Sequence, residues 1–266
     1  MAKKVFLGVG HGGSDPGAVK YLKEADVNLQ MALACRDYLQ ANGVEVKMSR
    51  TKDENDPLTE EIAECNAFNP DVAVDIHNNA GGGDGFEVYH YHGGGTSKTL
   101  AQNIETQVKA IGQNSRGLKT RLNSAGNDYY GFIRSIKAPS IICEGVFVDN
   151  AADAAQADTV AEQNKFGVAY AKGILKTLGV ADGGSGASNK PTSTQGESTG
   201  GCPYVVRIKA DELNVRTGPG MNYPINVKIH KGEAYTIVAE SKNGSTTWGK
   251  LKSGAGYIGL GYTERV

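Results

Sequence analysis

Apolar residues follow two alternating rhythms along the first two thirds of the chain. Val5–Val9 is a continuous apolar run of strand length. From Asp26 to Gln40 the apolar positions Val27, Met31, Ala34 and Tyr38 keep helical spacing, Leu29, Leu33 and Cys35 widen the stripe, and Gly43 stops it. Val44–Met48 alternates as a strand, Thr59–Phe68 reads as a helix, and Asp71–His77 is again a strand. Phe86–Tyr91 alternates, Lys98–Ile111 is helical, Ser140–Val148 is a buried strand, and a long helix spans Ala155–Leu178 before Gly179. Strands separated by helical crossovers predict an α/β domain, a mostly parallel sheet with helices on both faces. Loops at strand ends are then where chemistry is expected.

The rhythm stops at 182–201, which reads DGGSGASNKPTSTQGESTGG. Such a segment buries too little apolar surface to offset its ordering entropy, so it reads as a flexible tether. Beyond it come short β-like runs: Tyr204–Ile208, Leu213–Arg216, Asn226–Ile229, Ala234–Glu240, Trp248–Leu251 and Gly256–Ile258. Turn residues such as Gly218-Pro219-Gly220, Lys231-Gly232 and Asn243-Gly244 separate them, which predicts a small all-β barrel. The expected organisation is therefore 1–180, a linker at 181–202, and 203–266.

Composition sharpens this in three places. Glycine, at 36 of 266 residues, is about twice its usual share and clusters beside apolar runs, as shaped functional loops require. Net charge is −1, but positions 1–180 carry 18 basic against 22 acidic residues and positions 201–266 carry 9 against 5. A mildly basic C-terminal unit is compatible with docking to an anionic polymer. The four cysteines (Cys35, Cys65, Cys143, Cys202) form no C-x-x-C pair and read as free thiols. The apolar run after Met1-Ala2-Lys3-Lys4 is too brief for a signal-peptide core, and no stretch reaches membrane-spanning length. The expectation is a chain held in the cytoplasm until something releases it, with no membrane insertion and no nucleic-acid partner.

Of five histidines, two occupy strand exits. His11 sits in GVGHGGSDPG directly after the first strand, and His77 closes the strand from Asp71 before Asn78-Asn79-Ala80-Gly81-Gly82-Gly83. Glu24 opens the helix after the first glycine loop, where a carboxylate also simply complements the helix dipole. Two imidazoles and a carboxylate are nonetheless the ligand set of many catalytic zinc sites. Glu144 lies inside Ile141-Ile142-Cys143-Glu144-Gly145-Val146-Phe147, where a carboxylate is costly unless paired or functional. Asp75, two residues before His77 on the same strand face, is a possible partner for that imidazole.

Four segments in order, GHGG-x-DPGA, Lys23-Glu24-Ala25-Asp26-Val27-Asn28-Leu29, Asp75-Ile76-His77-Asn78-Asn79 and Cys143-Glu144-Gly145-Val146-Phe147-Val148-Asp149-Asn150, resemble the zinc-dependent N-acetylmuramoyl-L-alanine amidases of bacteria and phages. The resemblance covers about positions 3–179. It implies that His11, Glu24 and His77 bind Zn2+ and that Glu144 acts in catalysis. Two departures stand out: the second-histidine motif begins with Asp75 where Ser is commoner, and Leu58-Thr59-Glu60-Glu61-Ile62 lacks an often-present Arg. Leu213-Asn214-Val215-Arg216-Thr217-Gly218-Pro219-Gly220, with Trp248-Gly249-Lys250-Leu251 and Gly256-Tyr257-Ile258, resembles bacterial Src-homology-3 domains, which implies a partner in bacterial peptidoglycan. Trp248, Tyr223 and Tyr257 are each open to a core or a ligand-platform role. The combined expectation is an endolysin that cuts between N-acetylmuramic acid and L-alanine after release to the cell wall. A zinc peptidase acting on the stem peptide and a non-catalytic wall-binding protein are the alternatives.

Overall fold

In a computed structural model of the chain, residues 2–183 and 201–266 are described, apart from 217, 222, 224, 244, 245 and 254. The chain divides into two units, Met1–Gly186 and Ala187–Val266. The linker expected at 181–202 lies, from 184 to 200, outside the described residues.

The first unit runs β1 (Lys4–Val9), α1 (Glu24–Ala41), β2 (Glu45–Met48), α2 (Leu58–Phe68), β3 (Val72–Asn79), β4 (Phe86–His90), α3 (Gly95–Ala110), β5 (Ser115–Lys119), α4 (Gly131–Ser135), β6 (Ser140–Phe147), α5 (Ala151–Ala154) and α6 (Val160–Leu178). Its six strands form one sheet in the order β2-β1-β3-β6-β4-β5. Every neighbouring pair is parallel except β4 with β6. The reversal follows from chain length. Only 80–85 separate β3 from β4, too few for the crossover a parallel strand needs, so the chain turns back.

One face of the sheet carries the main core, where Leu7, Val74, Ile141 and Val88 meet Met31 and Leu39 of α1, Ile104 of α3, and Tyr170 and Ile174 of α6. The other carries a smaller core of Phe6, Ala73 and Ile142 against Cys65 of α2 and Phe132 of α4. The expected α/β layering is therefore present. Three elements were not expected: β5, a polar edge strand (SRGLK), the one-turn α4 and the one-turn α5. The long helix expected from Ala155 starts instead at Val160. Thr159 and Glu162 form a reciprocal capping box there, and Gly179 closes the helix in the left-handed region. All four cysteines are free thiols; Cys35, Cys65 and Cys143 are buried, whereas Cys202 is half-buried.

The second unit comprises β7 (Tyr204–Ile208), β8 (Glu212–Arg216), β9 (Ile225–His230), β10 (Ala234–Asn243), β11 (Thr246–Leu251), β12 (Tyr257–Gly259) and β13 (Thr263–Arg265). They form a seven-stranded antiparallel sheet, β13-β7-β10-β11-β12-β8-β9, around a core of Val206, Val215, Ile229, Ile237, Leu251 and Ile258. The expected small β domain is therefore present, and among the described residues the outer strands β13 and β9 do not pair. Trp248 and Tyr223 are buried, whereas Tyr257 is half-buried. No described helix of the chain is long and apolar enough to cross a membrane.

Candidate metal centre

The chain leaves β1 at Val9, and it is His11 itself that takes a left-handed backbone (φ 63°). That conformation is uncommon for a residue bearing a Cβ. Arg50, buried, holds the turn: it donates to the carbonyls of Val9 (3.0 Å), Gly10 (3.1 Å) and Ala25 (2.8 Å), fastening the β1 exit to the start of α1. Glu24, at that start, is only 4% exposed. Its Oε2 accepts from the Ala18 amide (3.0 Å) and its Oε1 from the Asn78 amide (3.2 Å), so both neighbouring segments fix its aim. His77 projects from β3 beneath Gly10, where any added Cβ would overlap the His77 ring.

Glu24 Oε1 is the meeting point. It lies 3.1 Å from His11 Nε2 and 3.2 Å from His77 Nδ1. One ligand atom from each of the three residues fits within 4.8 Å of the others. The outer nitrogens also face carboxylates: His11 Nδ1 is 2.8 Å from Asp15 Oδ2 and His77 Nε2 is 3.3 Å from Asp75 Oδ2. An imidazole with one nitrogen aimed at a shared point and the other held by a carboxylate is the arrangement metal-ligating histidines adopt. The rings sit at 79° with centroids 5.0 Å apart. The donor set therefore fits a zinc-type ion.

The electrostatics agree. The Glu24 carboxylate beside His11, then Asp15, raise the His11 pKa despite partial burial. Burial resists charge on His77, yet the carboxylates of Asp75 and Glu24 outweigh it and lift its pKa well above the ordinary value. Burial likewise acts against charge on Glu24, but hydrogen bonds from both imidazoles hold it far below the usual carboxylate range. These are the signs of an anion and two cations gathered where a metal ion would replace the protons.

Glu144 stands on β6 directly across from His77 in the parallel register. Burial pushes its carboxyl up to about 7, with Glu24, Asp75 and Glu87 adding to the rise and His77 opposing it. All four residues singled out in the sequence thus converge on the ends of β1, β3 and β6 and the start of α1. His90 and His92 are excluded by topology, because reversed β4 carries them to the opposite end of the sheet.

Three further residues belong here. Asp15 was hidden in plain view, four residues after His11 in the same glycine loop. Arg50 gave no signal, being a lone Arg after a short strand. Glu61 comes from α2, and an added Cβ on Gly8 would overlap both Glu61 Oε1 and Asp75 Oδ1. Those two oxygens are buried without a hydrogen-bond partner, so Asp75, one departure from the amidase pattern, faces a carboxylate from the segment 58–62 that carries the other. A cleft of about 540 Å³ opens beside them, lined by His11, Asp56, Glu61, Asp75, His77 and Tyr130 among others.

Two imidazoles and a carboxylate with an open side are the ligand class of hydrolytic metal centres. The chain belongs to the N-acetylmuramoyl-L-alanine amidase family, whose pattern matches residues 5–176. It is 34% identical over 183 residues to the N-acetylmuramoyl-L-alanine amidase CwlM of Bacillus licheniformis, covering 67% of this chain and 70% of that one. It is 30% identical over 263 residues to the endolysin of Bacillus phage SPP1, covering 96% and 94% respectively. Among solved structures, Cwp6 from Clostridium difficile superposes with a TM-score of 0.66 at 34% identity over 67% of this chain, which spans 30% of that longer one.

Proposed function

We propose that this chain is a zinc-dependent endolysin cutting the amide between N-acetylmuramic acid and L-alanine in bacterial peptidoglycan. The observation that carries the reading is the convergence of His11 Nε2, His77 Nδ1 and Glu24 on one point, with Glu144 next to His77. Zinc, when bound, supplies Lewis-acid polarisation of the scissile carbonyl and acidifies water. His11, Glu24 and His77 would hold it. Asp15 and Asp75 keep the imidazoles oriented by accepting their outer N–H groups. Glu144, poised near neutrality, accepts a proton from the attacking water and returns it to the departing L-alanine nitrogen. The cleft beside His77 admits a polymer from solvent while β3 and β6 keep the reacting groups fixed.

Similarity to the SPP1 endolysin extends through both units, which supports an endolysin role and a wall-docking role for the second, Src-homology-3-like unit. The test is digestion of purified peptidoglycan, with metal content measured in parallel. New L-alanine amino termini, lost on chelation and restored by zinc, are expected. New amino termini of another residue, or full activity without metal, would overturn the reading.

A further inference from the structure

The sheet register lays a row of charged side chains across the rim of the site. His77 on β3 is level with Glu144 on β6, Glu144 with Glu87 on β4, and Glu87 with Gly117 on β5. The register slips by one residue between Phe86 and Glu87, leaving Arg116 as the extra residue of a β-bulge. Bulges re-aim side chains, and this one brings Arg116 onto the face of the row, where its Nε donates to Glu87 Oε1.

Glu87 is 4% exposed and lies under two cations. Lys119 Nζ is 3.3 Å from Oε1, and Asn79 Nδ2 donates to Oε2 at 3.3 Å. Arg116 spends only Nε on this anchor. Its terminal nitrogens have no hydrogen-bond partner among the described residues, its side chain is 43% exposed, and its guanidinium stands 5.4 Å over the Phe147 ring. α3 covers β4 and β5 on the opposite face, and α4 packs over β6, so this end of the row faces outward.

We propose that Arg116 and Lys119 form a carboxylate-binding subsite that selects the peptide arm of the substrate. β5 lies two strands from β6, about 10 Å from Glu144 at the usual spacing. Extended peptide advances about 3.3 Å per residue, so the subsite meets an acidic group about three residues along from the scissile amide. The planar guanidinium, held by a buried carboxylate and backed by an aromatic ring, presents its outer edge to a carboxylate in fork geometry. Lys119 adds a second charge. This assignment rests on the amidase reading for the identity of the peptide, but its binding step is measurable without turnover.

The experiment measures binding of two synthetic tripeptides to the full zinc-loaded chain by calorimetry. Both begin with L-alanine and end in a C-terminal amide; one carries a free side-chain carboxylate on its third residue and the other the primary amide. Wild type is expected to bind the acid about tenfold more tightly, the scale of one charge-assisted hydrogen bond. Arg116→Gln should erase that preference. Lys119→Gln, which leaves the Arg116–Glu87 pair in place, should reduce it and serves alone if Arg116→Gln fails to fold. Equal affinity of wild type for acid and amide, or a preference untouched by the variants, overturns the subsite. Peptidoglycan digestion is scored separately, so failed hydrolysis with an intact acid preference counts against the amidase reading alone.

Discussion

Glu61 on α2 and Asp75 on β3 turn unpartnered carboxylate oxygens toward the space left by the missing side chain of Gly8. Burial, then the charges of Asp75 and Asp56, push the Glu61 pKa well above its ordinary range. The folded chain therefore retains a proton that the unfolded chain releases. Glu61→Gln supplies an amide donor to Asp75 and removes that cost. It should raise the melting temperature by a few degrees at pH 8, and by less at pH 5. Glu61→Ala, which leaves a void, should lower it. Equal melting temperatures for wild type and Glu61→Gln across that pH range would show that the two carboxylates do not compete.

Gly10→Ala tests the seat of His77. The new methyl would overlap the imidazole, so either ring or strand must move. Overpacking of this kind costs about 1–3 kcal/mol. Zinc retention against a competing chelator should fall together with thermal stability. Unaltered zinc affinity would mean the ring has room to spare.

Glu144→Gln removes a proton carrier without removing any proposed ligand. It should keep its zinc and lose about 10²-fold or more in kcat. In wild type, activity should fall as pH drops through the Glu144 titration, because only the carboxylate accepts a proton. With the metal-free value at about 7, and a bound cation favouring the ionised form, that acid limb lies at or below neutrality. A limb that persists in Glu144→Gln would assign it to another group.

Metal-free protein should lose stability as pH rises. Glu61 and Glu144 have folded pKa values above the ordinary 4.5, and His11 and His77 above 6.5. All four groups keep protons in the folded state that the unfolded chain gives up. Their stabilisation is complete below those ordinary values and is lost as pH climbs through the folded ones. Glu24, held low, changes stability only in more acidic solution. Zinc loading should reverse the trend, since ligands must shed protons to bind it. Melting curves with and without zinc between pH 5 and pH 9 check the sign.

The residues after α6 set where the first unit can be cut. Tyr38 donates to Asp182 Oδ1 at 2.6 Å, and the Gly183 amide donates to Asn42 Oδ1 at 2.9 Å. A fragment 1–183 should melt higher than 1–179 and still hydrolyse small soluble muropeptides. If the second unit docks the wall as proposed, the fragment should lose activity on whole walls, having lost that gain in effective concentration. Residues 201–266 alone should co-sediment with susceptible walls. Undiminished wall lysis by 1–183 would assign that unit another partner.

The four singled-out residues were legible because the chain commits its histidines and carboxylates to short runs flanked by strong strand and helix patterns. Asp75 could be paired with His77 from strand alternation alone. Glu61 could not, because α2 meets β3 only through the fold. β5 leaves no pattern because an edge strand needs no apolar stripe, and Arg116 leaves none because a bulge re-aims a side chain that alternation assigns to the other face. α4 is a single turn, shorter than any periodicity can register. The long helix starts later than its apolar spacing implies because the capping box of Thr159 and Glu162 sets its first turn.

The reversal of β4 and β5 divides the rim of the site into two kinds of ground. Where β1, β3 and β6 supply it, the functional side chains stand on or just past strands whose opposite face is locked into the main core. Where β4 and β5 supply it, the rim is made of their entry segments, 80–85 and 111–114, which carry none of the proposed ligands. Neither imidazole nor Glu24 stands on those segments. One half of the sheet thus places the proposed ligands, while the entry segments of the other half stand apart from them.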